Sequence, residues 1–484
     1  MKNIYPALVS VIALLAFQSC EKFLEVEPVS QGIYNATDSI VYSTGAEVES
    51  ALAGAYGDFR NEYFELDYFV NGDAQSDDAY AGADNPANFQ IDDYAIDAIN
   101  LNVSRDWAYL YSTIGKVNPI INNVMLVDDD SFTQERRKEI LGEASFIRAF
   151  MYFQAVQLWG DVPLQLKEVR TISAELLPEL YPLLFPARSP QDSVYMQIVM
   201  DLEVALENVK PTAVNKGYVT TGAVNAMLAK VYATMEPRDY NQVVQYCDAV
   251  ITGPYSLLPN YEDLWNGTIE NSSESIFEIN YEGTSTNANW GASMFMGMDW
   301  KKFNIPSNDL VNAFDAEQDE IRKNASIIFL DVTGKWSDLH WPQTHYPFLY
   351  KWRQYTFPSP QNYIFIRLAD IILLKAEALN ELGDVSGAAA LVDQIRERVG
   401  LPNTTASGQQ EMRLAIEKER RLELAFEGHR WYDLKRTGRA IEVINNAVDE
   451  NGNKLYSISE SDLLWPIPQS EMDKNPSLTQ NAGY

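Results

Sequence analysis

Histidine and cysteine are almost missing from this chain, with three and two residues in 484. One of the thiols, Cys20, closes a short leader, so Cys247 has no partner for an intrachain disulfide and stability must come from packing. His340 and His345 lie five apart, unlike the i, i+4 pair of a helical zinc protease, and His429 falls in a block of charge. No thiol joins them, which argues against zinc, and no cofactor is expected. Basic residues are scarce too: 37 Lys and Arg stand against 68 Asp and Glu, a formal net charge of -31. That balance excludes partners bound by phosphate neutralisation, nucleic acid above all. It favours neutral or cationic ligands over uronate-rich or sulfated polymers. Beyond the leader, no apolar run reaches the roughly 20 residues that cross a bilayer. Catalytic signatures are also lacking: there is no G-x-S-x-G elbow, P-loop or Rossmann fingerprint. Opposed carboxylates are uninformative among so many acids, because their separation is a property of the fold. The chain is therefore not expected to be an enzyme.

What is present begins with Lys2 and an apolar stretch, Ile4 to Phe17, that runs into Ser19-Cys20 and turns polar at Glu21-Lys22. This run is too short to span about 30 Å of hydrocarbon, so residues 1–19 read as a cleaved lipoprotein signal peptide with lipid on Cys20. Acyl chains contribute roughly 0.8 kcal/mol per buried methylene, enough together to hold a soluble body at a membrane. An ordinary secretory signal with an incidental cysteine is the alternative, since Phe17 and Gln18 are large for positions before a lipidated cysteine.

Residues 20–484 read as one domain built on helices. From Ser131 to Trp159, Ile140, Ala144, Ile147, Phe150 and Phe153 recur at helical spacing until Gly160-Asp161-Val162-Pro163. Ser189-Pro190 starts another helix that Lys210-Pro211 ends, and Thr220 to Met235 forms a third. Near Tyr363 begins a helix pair in which Ala376, Gly383 and Ala388 occupy the small-residue positions of a tetratricopeptide repeat. Thr220 to Ile251 is a weaker copy, and such units bury their faces only by stacking. Further copies are expected between Trp107 and Arg148 and between Glu411 and Arg436. The fold class is thus mostly α, a tetratricopeptide-like repeat scaffold with large irregular loops and a few short strands, Ile276 to Ile279 among them. The segment from Asn260 to Tyr355 loses the helical period and is rich in Gly, Asn, Ser and aromatics. Loops on such scaffolds commonly carry function.

Between Arg60 and Arg105 there is no Lys or Arg, while Glu62, Glu65, Asp67, Asp73, Asp77, Asp78, Asp84, Asp92, Asp93 and Asp97 accumulate. A solvated acidic face is expected; a calcium site near Asp73, Asp77 and Asp78 is the lesser alternative. The block Arg420, Arg421, Glu423, Glu427, Arg430, Asp433 and Arg436 has the three- and four-residue spacing of ion pairs along a helix, and is expected to be structural. Aromatic platforms beside amides and carboxylates suit sugars, which present flat CH faces and rings of hydroxyls. Asn289, Trp290, Asp299 and Trp300 concentrate both kinds of group, as do Trp336 and Trp341, with Tyr68 and Tyr80 added from the acidic loop. Core packing is the competing role for each ring.

Four segments then resemble the SusD/RagB family of outer-membrane lipoproteins of Bacteroidetes. They are GEASFIRAFMYFQAVQLWGDVPL from Gly142, NYIFIRLADIILLKAEALNELGD from Asn362, ERRLELAFEGHRWYDLKR from Glu419 and LLWPIPQSEMDKNPSLTQNAGY from Leu463. The resemblance implies a lipid-anchored protein exposed on the outer membrane that binds oligosaccharides and delivers them to a TonB-dependent transporter. Some relatives take peptides instead, and a scaffold that binds only the transporter is a further alternative.

Overall fold

The computed structural model describes residues 41–82, 85–169, 172, 174–297, 299, 301–449 and 451–484; the leader, Cys20 and Trp300 lie outside the described residues. Helix α1 (Gly45–Gly57) opens with a capping box in which Thr44 and Glu47 satisfy each other's backbone N–H groups. Helices α2 (Leu101–Asn123) and α3 (Gln134–Trp159) follow, capped by Asn100 and Thr133. Ile140, Phe146, Ile147, Phe150 and Tyr152 of α3 are all buried. From Ile140 onward nearly every residue of α3 is buried, Glu143 and Arg148 included, and α3 packs on α1, α2 and α4 (Gln191–Asn208). It stops at Gly160, whose φ of 69° ends the helical path.

The stack continues through α5 (Thr221–Tyr232) and α6 (Tyr240–Ile251), then α7 (Leu368–Glu381), α8 (Val385–Arg398) and α9 (Gln409–Glu423), each lying against the next. At the α7–α8 turn Gly383 takes φ +90°, and the Asp384 carboxylate accepts from Gly387 N at 2.8 Å to cap α8. Ala376 and Ala388 are fully buried where these helices cross. The expected helical-repeat scaffold is therefore present. The short helix α10 (Arg430–Arg436) completes the last expected helical segment.

Strands are few and short. Among the described residues three antiparallel pairs occur: β1 (Ala79–Tyr80) with β3 (Ile305–Pro306), β2 (Ser275–Ile279) with β6 (Tyr363–Arg367), and β4 (Ile327–Leu330) with β5 (Tyr346–Leu349). Strand β6 runs directly into α7, so the loop-rich insert between α6 and α7 is fixed to the helical stack by its own last strand.

The charged block is structural, but it is a buried lattice rather than a helix-surface ladder. Arg322 reaches Glu419 at 2.7 Å and Glu423 at 3.1 Å, while Arg367 reaches Glu423 at 2.6 Å and Glu427 at 2.7 Å. Lys351 adds a contact to Glu427 at 2.6 Å. These cations come from the insert and β6, whereas Glu419 and Glu423 lie on α9 and Glu427 just beyond its end. The acidic stretch corrects a second expectation. Asp67, Asp73, Asp77, Asp78 and Asp92 are buried, not solvated, whereas Glu62 is partly exposed and Asp93 and Asp97 face water. Arg430 grips Asp77 at 2.7 and 2.8 Å, and Arg421 meets Asp78 at 2.6 Å. Asp73 accepts from Asn304 Nδ2 at 2.9 Å and Gly428 N at 3.1 Å. Guanidinium groups thus supply the countercharge of Asp77 and Asp78, and Asp73 is held by neutral donors.

Candidate functional site

The insert gathers its exposed aromatics at two places. The first is an open cleft of about 440 Å³ whose walls include Arg60, Glu65, Asn287, Trp290 and Phe357. Trp290 is set by its neighbours in sequence. The helix Gly291–Phe295 begins immediately after it, and Gly291 is indispensable there, because a Cβ would lie 2.0 Å from the Glu65 carbonyl oxygen. The Glu65 carboxylate accepts from Trp290 N at 3.1 Å, and burial raises its pKa from 4.5 to about 8 despite backbone N–H groups that favour the charged form. Trp290 is half-buried against the core; Phe357 is 52% exposed.

The second place is the loop between β4 and β5. Trp336 is 38% exposed, and the Lys302 ammonium lies 5.8 Å from its ring centroid and 5.9 Å from that of Tyr346. Lys302 also donates to the Asp299 carbonyl oxygen, and its pKa is lowered by burial. Tyr346 donates its hydroxyl proton to Asp338, whose other oxygen accepts from His340 N at 2.9 Å. The His340 ring stacks on Tyr80, centroids 3.8 Å apart and planes 13° from parallel. Pairing of Ala79 with Pro306 and Tyr80 with Ile305 ties the acidic loop to this corner.

Of the residues singled out from sequence, Trp290 and Trp336 offer ring surface, and Asp299 is exposed. Trp341 is half-buried, donating from Nε1 to Pro306 O at 2.9 Å and packing on Phe329. Three others do not face a ligand as expected. Asn289 is fully buried and spends its amide on Gln361 O and Ala292 N, both at 3.0 Å. Tyr68 packs among Tyr63, Phe69 and Phe365, and Tyr80 is 3% exposed beneath His340. Tyr68 lies between two π-helical turns, Tyr63–Asp67 and Val70–Ala74, whose residues are all buried, and Tyr80 is held in β1 by its pairing with Ile305. Phe357, Arg60 and Asn287 were not anticipated; Phe357 carries the signal used elsewhere, an aromatic in a Pro- and Ser-rich stretch outside helical period.

Comparison with known proteins matches residues 343–484 to the model of the SusD family, and residues 22–233 to a second model described as starch-binding and associating with the outer membrane. Two SusD-type models thus match separate parts of the chain. A SusD-like protein of Formosa agariphila is 27% identical to this chain over 99% of both. A solved laminarin-binding SusD-like protein, 27% identical, superposes with a TM-score of 0.75 over 92% of this chain and all of the other. A SusD superfamily protein of Bacteroides vulgatus, 23% identical, shares the fold with a TM-score of 0.76 over 91% of this chain.

Proposed function

We propose that this protein is a SusD-family lipoprotein of the outer-membrane surface that binds oligosaccharides and hands them to a TonB-dependent transporter, breaking no bond itself. Lipid on Cys20 holds it at the membrane; replacing Cys20 with Ala should release the protein and abolish incorporation of labelled palmitate. Sugar rings stack on Trp290 and Trp336, with Asp299 and its sequence neighbour Trp300 as further candidate contacts, and side-chain amides, carboxylates and guanidinium groups engage their hydroxyls.

The observation that carries this reading is the pairing of exposed indole surface with polar groups on the insert of a chain that matches the SusD-family model. Likeness over nearly the full chain to a laminarin-binding protein supports it. The net charge of -31 favours a neutral glycan. The test is titration of a soluble form beginning after Cys20 with neutral, acidic and aminated polysaccharides, peptides serving as contrast. Saturable binding of one glycan class is expected. Binding of peptides alone would move the assignment to a peptide carrier, and silence throughout would leave a scaffold for the transporter.

A further inference from the structure

The Trp290 cleft shares part of its lining with another. Arg60 and Asn287 line it, and the same two residues line a second, larger cleft of about 650 Å³ on the side toward α1 and β2. Both volumes fall in the ordinary range for small-molecule sites, roughly 300 to 1,000 Å³. The walls of the second cleft differ from those of the first. Amides and carboxylates share its polar lining, and Asn280 donates to Asn215 at 3.0 Å and accepts from Asn271 at 2.9 Å and Asn362 at 2.6 Å, a ladder held in place by its own members. At its edge Tyr218 stands 44% exposed, braced edge-on by Tyr56 with centroids 5.3 Å apart. Tyr56 is itself fixed, donating to Glu143 at 2.6 Å and accepting from Val219 N at 3.2 Å.

One group where the clefts join is free to meet a ligand. Arg60 is exposed and forms no ion pair among the described residues. Its guanidinium presents donors in a fixed fork, which suits neighbouring hydroxyls. The walls of the second cleft otherwise carry Glu49, Glu143, Glu270, Glu278 and Glu282 against Arg60 and Arg136, an excess of negative charge.

We propose that the two clefts form one groove, joined at Arg60 and Asn287 and running from Trp290 and Phe357 to Tyr218, that takes an extended linear, uncharged oligosaccharide. It rests on the glycan-binding role above and adds the path, length and charge of the ligand. Aromatic surface at both ends with amides between suits a chain whose rings stack at its ends and whose hydroxyls are read in the middle. The carboxylate excess disfavours uronate or sulfate groups at the Tyr218 end.

The test uses the soluble protein with graded series of laminari- and malto-oligosaccharides, from disaccharide to octasaccharide, followed by calorimetry. Affinity should rise with length, by about tenfold or more across the series that binds. Tyr218→Ala should erase the gain of the longer members and leave the short ones within about twofold, with its melting temperature confirming that it is folded. Arg60→Gln should weaken every member that crosses the junction. Binding that does not depend on length, or a Tyr218→Ala variant that matches the parent throughout, would overturn the groove and leave glycan binding at Trp290 or Trp336 standing. No binding of any member by the parent protein would overturn the groove for these glucans, and the wider polysaccharide panel would then decide the underlying role.

Discussion

Arg367 and Glu427 meet through two parallel hydrogen bonds, Nε to Oε2 at 2.7 Å and Nη2 to Oε1 at 2.8 Å, with both side chains out of reach of solvent. The geometry is the fork-to-fork contact that makes Arg a better buried partner than Lys. Glu274 and Glu423 also lean on Arg367, at 3.0 and 2.6 Å. Arg367→Met should therefore leave three carboxylates short of a countercharge and cost about 3–5 kcal/mol in urea unfolding. The exposed pair Arg413–Glu381, at 2.5 Å, is the control, because Arg413→Ala should shift stability by no more than about 1 kcal/mol. Equal effects from the two variants would contradict a structural role for the lattice.

Gly72 makes a packing prediction. A Cβ there would fall 2.3 Å from the carbonyl oxygen of Gly428 and 2.5 Å from its Cα. Backbone on both sides leaves no side chain to move aside. Gly72→Ala should destabilise by about 1–3 kcal/mol or more, seen as a lower denaturation midpoint.

Glu65 sets a pH dependence. Its folded pKa of about 8 lies above the ordinary 4.5, so between these values the folded state keeps a proton that the unfolded chain has released. Stability from this group is full below about pH 4.5 and is lost as pH rises toward about 8. Glu65→Gln holds the side chain neutral. The stability of the variant relative to the parent should climb across that window, and a difference that stays flat with pH would refute the assignment.

Binding and folding should separate at the indoles. Trp336 is 38% exposed, so Trp336→Ala should alter stability by about 0.5 kcal/mol or less while weakening glycan binding. Trp290 is packed partly on the core, and Trp290→Ala should lose affinity together with a modest part of the stability. Calorimetric titration beside thermal unfolding reads both quantities on one sample. Unchanged affinity in both variants would remove the rings from the site.

Much of the scaffold was legible because its signals are local. Apolar spacing, the stops at Gly160 and Pro211, and the small residues Ala376 and Ala388 act within a few turns of one another. The acidic stretch was not, because the arginines that bury Asp77 and Asp78 lie 353 and 343 residues further along the chain. A run of like charge looks solvated until its partners are known. Tyr68 and Tyr80 misled for a related reason: in sequence they look like loop aromatics, but the π-helical turns and the His340 stack turn them inward. Trp336 was recognisable, whereas the neighbourhood of Arg60, Asn287 and Phe357 arises only when three separate segments converge.

The position of the insert between α6 and α7 has a further consequence. These two helices pack directly on one another, so residues 252–367 leave and re-enter the stack at adjacent points. The entropy lost in closing such an excursion grows only with the logarithm of its length, about 0.6 kcal/mol for each doubling. Lengthening or trimming the ligand-facing loops therefore costs the helical body little, and cargo preference can change by insertion and deletion while the framework beneath stays the same.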